Sequence, residues 1–199
     1  MLSFTAAVIL LLITPGPGVL SIAGVGAAYG WRDGLRYAIG LFLGTNMVMT
    51  AVLTGLAAIV LSVPAVRTVL MVASVAYLLY LAARIALAGS RIAFIEAKSA
   101  PGIRAGLLLQ AINPKAYAVN TALMTGFSYA PGNLAFETLT KILILNAIWI
   151  PIHMGWLWAG VTLHRLNLSH RTQRLINFGM ATAMLAVVAL ALVSAFGAP

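Results

Sequence analysis

Residues 13–20 read ITPGPGVL. They sit inside an apolar run, with SFTAAVILLL before and SIAGVGAA after, long enough in total for one membrane-crossing helix. Each proline removes a backbone donor and clashes with the preceding turn, and each glycine weakens the helix further. Pro15, Gly16 and Pro17 therefore break the helix at its middle. In hydrocarbon the freed N–H and C=O groups find no water, so they face protein, a wet cavity or a ligand. The bland alternative is a proline kink, which membrane helices tolerate. A second stretch weighs against it. AINPKAY at 111–117 interrupts another apolar run and carries a lysine. Two breaks at matched positions favour a functional pair.

Of the 199 residues, 62% are hydrophobic and 8% charged. A soluble fold that apolar has too little polar surface to cover its core, so the chain is an integral membrane protein. The net charge of +9 could suggest nucleic acid, but the basic residues are spread over short links between apolar runs. That distribution is topogenic, Lys and Arg being retained on the cytoplasmic side. The chain has no cysteine, which excludes disulfides and Cys-ligated metals. The first apolar run lacks a basic n-region and is longer than a usual leader core, so it reads as a retained helix rather than a cleaved leader.

Six spans are expected, at about residues 3–28, 37–61, 64–88, 105–127, 139–162 and 174–196. The links between them carry the turn residues: GWRDGLR (30–36), SVP (62–64), GSRIAFIEAKSAPGIR (89–104), YAPGN (129–133) and HRLNLSHRTQR (164–174). Arg32, Arg36, Arg91, Lys98, Arg104, Arg165, Arg171 and Arg174 fall in the first, third and fifth links, and Arg84 can snorkel to the same side. The other side has only Arg67 and Lys141. Links one, three and five are then cytoplasmic and both termini lie outside.

A faint internal repeat runs through these spans. Ile13-Thr14-Pro15 parallels Ile112-Asn113-Pro114, and Asn46 parallels Asn146, at offsets of about one hundred residues. Three helices per half make the second half enter the membrane inverted. Inverted repeats with matched broken helices mark transporters whose substrate site lies at the repeat interface. The expected fold is thus all-α and integral to the membrane: six transmembrane helices in two inverted three-helix repeats, with helices 1 and 4 broken. One transmembrane domain covers 1–199, as repeats of about 1–88 and 105–199 joined by a cytoplasmic link at 89–104.

Lys115 stands about ten residues into helix 4, near mid-depth, where a cation by default signals function. The alternative is a later helix start, with Lys115 snorkelling to the surface. Asn113 and Asn120 flank it on one face, and Gln110 extends that face; such a stripe turns inward either to a site or to interhelical hydrogen bonds. His153 lies seven residues after Asn146 on nearly the same face. With Asn46 these residues could form a polar lining, or His153 is simply a buried, hydrogen-bonded histidine. Asp33, Glu96 and Glu137 all fall in links or at their edges, leaving no acid at mid-depth for a proton relay or for gripping a cation. Gly40 and Gly44 permit close helix packing, within the chain or in a homodimer. Trp149, Trp156, Trp158, Tyr77 and Tyr80 read as interfacial anchors, and His164 and His170 as solvated.

At this point the chain resembles the LysE/RhtB family of amino-acid exporters over nearly its whole length. The likeness rests on TPGPGVL (14–20), GWRDGLRYAIGLFLG (30–44) with Gly55-Leu56, AYLLYLAAR (76–84) and GLLLQAINPKAY (106–117). The resemblance implies export of amino acids or related small metabolites through the bacterial cytoplasmic membrane. It also implies site elements at Pro15, Gly16, Pro17, Asn113, Pro114 and Lys115. The chain departs from the family pattern in GTNMVM (44–49), which lacks the Asp and His common there. It departs again in Thr125-Gly126-Phe127, where a Pro-Gln-Phe is common. With no intramembrane acid to pair a second ammonium, a neutral or anionic substrate fits better than a cationic one. The alternatives are a non-transporting membrane subunit, against which the paired breaks argue, and an intramembrane enzyme, for which the residues supply no nucleophile–base pair. No cofactor or metal is expected.

Overall fold

The computed structural model describes residues 1–14, 16–86 and 100–165, with isolated positions between 169 and 186. Every regular element among them is helical: α1 (Leu2–Ile13), α2 (Pro17–Leu53), α3 (Leu56–Ser62), α4 (Pro64–Ala86), α5 (Ile103–Ile112), α6 (Pro114–Thr125) and α7 (Leu134–Arg165). Three of these hold stretches long and apolar enough to cross a membrane: Pro17–Leu53, Pro64–Ala83 and Leu134–Leu163. Leu2–Ile13 and Ile103–Ile112 are also apolar but shorter, because each is cut off at one of the two breaks. The sixth expected span, 174–196, falls mostly outside the described residues, as does the 89–104 link up to residue 99.

The first break falls where the sequence placed it. α1 ends at Thr14, and α2 begins with Gly16 as its extended N-cap and Pro17 in its first turn. Proline suits that position, since the first-turn N–H has no partner inside the helix. Pro15 lies outside the described residues. The second break is built in the same way. Asn113 ends α5 in an extended conformation and caps α6, its side chain accepting the Lys115 backbone N–H at 3.1 Å, with Pro114 following.

The first link differs from the expectation of a loop. The helix resumes at once after Gly30, whose φ of 78° and ψ of −170° bend α2 there. That backbone region is essentially reserved for glycine. Trp31–Arg36 therefore continue as helix, with Arg36 donating to Asp33 at 3.4 Å. A second interruption, at Gly55 (φ 76°), separates α2 from α3.

Glycines set the helix crossings. A Cβ on Gly40 would lie 2.8 Å from the Ile103 carbonyl carbon, with the Ile103 oxygen closer still. On Gly106 it would meet the Leu41 nitrogen at 2.7 Å, and on Gly160 the Ala23 carbonyl carbon at 2.9 Å. Gly44 admits Gln110, whose Cβ would stand 2.6 Å from an added methyl. The Gly40/Gly44 pair thus packs α5 onto α2 within one chain. Phe4, Ile22, Leu41, Leu109, Leu123, Leu145 and Leu157 fill the core between them.

The segment joining α6 to α7 is pinned by a buried ion pair. Lys141 Nζ donates to Glu137 at 2.7 Å and to the Met124 carbonyl at 2.9 Å. The other Glu137 oxygen accepts the N–H groups of Tyr129 and Ala130 at 2.9 and 2.6 Å. Both side chains are buried, although the sequence places Glu137 at the edge of a link.

A polar cavity between two helix breaks

The two breaks meet at one cavity of about 60 Å³. Its walls include Thr14, Gly16 and Gly18 from the first break, and Gln110, Asn113, Lys115 and Asn120 from the second. Trp149 and His153 come from α7, and Thr45 from α2. Lys115 is the one formally charged residue among the described residues of that wall. Its ammonium donates to the Thr14 carbonyl at 3.0 Å, across the gap between the breaks. That carbonyl closes α1, where the helix dipole is negative. The described residues form only two ion pairs, Arg36–Asp33 and Lys141–Glu137, so among them no carboxylate faces Lys115.

Directed hydrogen bonds fix one side of the cavity. The Lys115 N–H donates to Asn113, Asn113 Nδ2 donates to Gln110 at 3.1 Å, and Gln110 Nε2 donates to Thr45 at 2.7 Å. Each amide orientation follows from its neighbour, starting from a backbone N–H that can only donate. The stripe expected on helix 4 is therefore real: Gln110, Asn113 and Asn120 are all buried.

The opposite side carries free acceptors. Asn120 Nδ2 donates to the Ala116 carbonyl at 2.8 Å, while Asn120 Oδ1 is buried without a partner. His153 Nδ1 lies 2.9 Å from the Trp149 carbonyl and must donate to it. When the ring is neutral, Nε2 then holds a lone pair; it stands 3.8 Å from where a Cβ on Gly18 would lie. The ring stacks on Trp149 at 3.6 Å, and Trp149 meets Phe42 edge-on at 5.3 Å.

Of the residues expected at a site, Gly16, Asn113, Lys115, Asn120 and His153 come together on the cavity wall, and Pro17 and Pro114 start the helices beside it. Asn46 and Asn146 do not line it. They pair with each other through two reciprocal amide bonds of 3.0 Å. Thr45 and Trp149 were missed. Trp149 is 2% exposed, a cavity wall rather than an interfacial anchor. Thr45 lies between Gly44 and Asn46, and only the close approach of α5 at Gly44 reveals its partner. Among the described residues, no three His, Asp or Glu side chains gather as metal ligands would.

Apolar helices of membrane-crossing length, packed beside two helix breaks that meet at a polar cavity, define a helical membrane protein with a polar interior. The chain belongs to the LysE type translocator family, whose family model matches residues 9–195. No curated protein and no solved structure matches it. Membership makes the chain a membrane translocator of small molecules, in contact with lipid, in a family of transporters and not of enzymes.

Proposed function

We propose that the protein is a secondary transporter that exports an amino acid or related small metabolite across the bacterial cytoplasmic membrane by alternating access. The observation that carries this reading is the Lys115–Thr14 contact, which brings the two helix breaks together at one cavity. The substrate is a neutral or anionic amino acid. Its carboxylate meets Lys115 and the N-terminal end of α2, because helix N-termini favour anions. Its ammonium meets the Thr14 carbonyl and the free acceptors of Asn120 and His153.

In this reading six helices form two inverted repeats, with both termini periplasmic. The reciprocal Asn46–Asn146 pair supports the repeat, and so does a shared detail: each Nδ2 also donates to the carbonyl four residues before it, Phe42 at 2.9 Å and Ile142 at 3.1 Å. The length of α1 supports a break at mid-depth, since 12 residues rise about 18 Å, roughly half a bilayer.

The test is efflux from cells preloaded with labelled neutral, acidic and basic amino acids. Native protein and Lys115→Ala are compared at matched membrane levels. Native cells should lose a neutral or acidic compound faster than empty cells. Losing a charge-assisted contact should slow that efflux by about tenfold or more in Lys115→Ala. Identical efflux from native and empty cells across the whole mixture refutes the reading.

A further inference from the structure

Lys115 does more than line the cavity, because its side chain fills part of it. An added Cβ on Gly16 would stand 2.8 Å from Lys115 Nζ, 2.9 Å from Cδ and 3.3 Å from Cε. The lysine is thus laid across the glycine of the first break, with its ammonium on the Thr14 carbonyl. The remaining space, about 60 Å³, holds a few water molecules and not a free amino acid. A substrate enters only if something on the wall moves. Lys115 is the long, flexible side chain there, and among the described residues its ammonium has one hydrogen-bond partner and faces no carboxylate. The buried Asn120 Oδ1 has no partner in this arrangement and awaits a donor.

Resting on the reading of this cavity as the transport site, we propose that Lys115 is a tethered stand-in for the substrate ammonium. Its own ammonium holds the Thr14 carbonyl when the cavity is empty. It gives that carbonyl up to the ammonium of an arriving amino acid and turns to the carboxylate. Only a solute with both charges then exchanges places with it. An amine without a carboxylate meets the repulsion of Lys115, and a carboxylate without an amine leaves the carbonyl and Asn120 unpaired. Lys115 becomes the residue that selects zwitterions.

The test uses ethylammonium as the probe and thermal denaturation of the full-length protein in lipid nanodiscs as the readout. Lys115→Ala removes the stand-in and leaves its space. Its midpoint should rise saturably with ethylammonium and not with tetramethylammonium, which has no N–H, at equal ionic strength. The native protein, whose carbonyl is already filled, should not respond. Gly16→Ala displaces the lysine while keeping its charge, and should gain a smaller shift of the same kind; it carries the test if Lys115→Ala does not fold. No ethylammonium response in either variant, or an equal response in the native protein, overturns the inference. That result alongside native amino-acid efflux leaves the transport reading standing. A response without efflux of any amino acid overturns the transport reading and keeps the carbonyl as an ammonium position.

Discussion

The crossing of α2 and α5 makes Gly40→Ala the most direct test of the packing. The added methyl would lie 2.8 and 2.9 Å from the carbonyl carbon and Cα of Ile103. Carbon atoms rest about 3.5–4.0 Å apart, so the helices would have to part by about 1 Å. The neighbour is backbone, so no side-chain rotation relieves the clash. Overpacking of this kind costs about 1–3 kcal/mol, against which Ala offers about 0.5–1 kcal/mol over Gly inside a helix. Gly155→Ala is the matched control, since Gly155 lies in α7 with nothing within 4 Å of an added Cβ. It receives the propensity gain without the clash. The two variants should therefore separate by roughly 1–3 kcal/mol, Gly40→Ala below the native protein and Gly155→Ala at or above it. Titrating each variant with SDS in mixed micelles, followed by far-UV circular dichroism, measures the difference. Equal unfolding midpoints would show that α5 does not approach α2 at Gly40, and the placement of Gln110 beside Thr45 would fall with it.

Three further outcomes follow from named contacts. A double-mutant cycle on Asn46→Ala and Asn146→Ala in the same titration should give a coupling of about 0.6 kcal/mol or more, since hydrogen bonds between membrane helices average about 0.6 and reach about 1.7 kcal/mol; additive effects would mean the pair is not formed. Glu137→Leu should reduce the yield of folded protein more than Lys141→Met does. The lysine variant leaves the carboxylate its donors at Tyr129 and Ala130, whereas the leucine variant strands both those donors and a buried ammonium. The double variant should recover part of the loss, and a double variant worse than both singles would contradict the ion pair. Asn120→Leu should leave the unfolding midpoint close to native, because Asn120 Oδ1 has no protein partner to lose and Nδ2 gives up only a local bond to the Ala116 carbonyl one turn before, yet slow efflux. A fall in stability without a change in efflux would make Asn120 a packing residue.

The helix breaks were legible because their signal is local. Proline and glycine in an apolar run leave backbone groups that lipid cannot satisfy, and that conflict is visible in eight residues. The polar stripe of helix 4 was legible for the same reason, since Gln110, Asn113 and Asn120 share a face and have nowhere to point but inward. The 30–36 link was misread because two glycines and three charges look like a loop. Gly30 alone makes the turn, and Trp31–Arg36 keep helical hydrogen bonds that polar composition does not forbid. Glu137 and Lys141 stand at the i,i+4 spacing of a helix pair, so their partnership could be read. Their burial could not, because it depends on how residues 124–130 fold back over them. Trp149 failed in the opposite sense. A tryptophan near two others suggests an interfacial belt, and only the stacking of His153 on its ring shows that it faces the cavity.

The proposed repeat carries more information than its two matched motifs suggest. Matched segments that face one another across an axis bring each residue near that axis against its own counterpart. The separation of such contacts in the chain then lies close to the repeat offset. Asn46 meets Asn146, one hundred residues away, and Lys115 meets Thr14, one hundred and one residues away. Neither partner can be found from helical periodicity, which reaches only a turn or two. Both separations lie within two residues of the ninety-nine that separates Ile13-Thr14-Pro15 from Ile112-Asn113-Pro114, so the offset read as a guide to contacts brings each search close to its partner. Gln110 and Thr45, sixty-five residues apart, lie off that diagonal, and they are the pair that the sequence left unmatched.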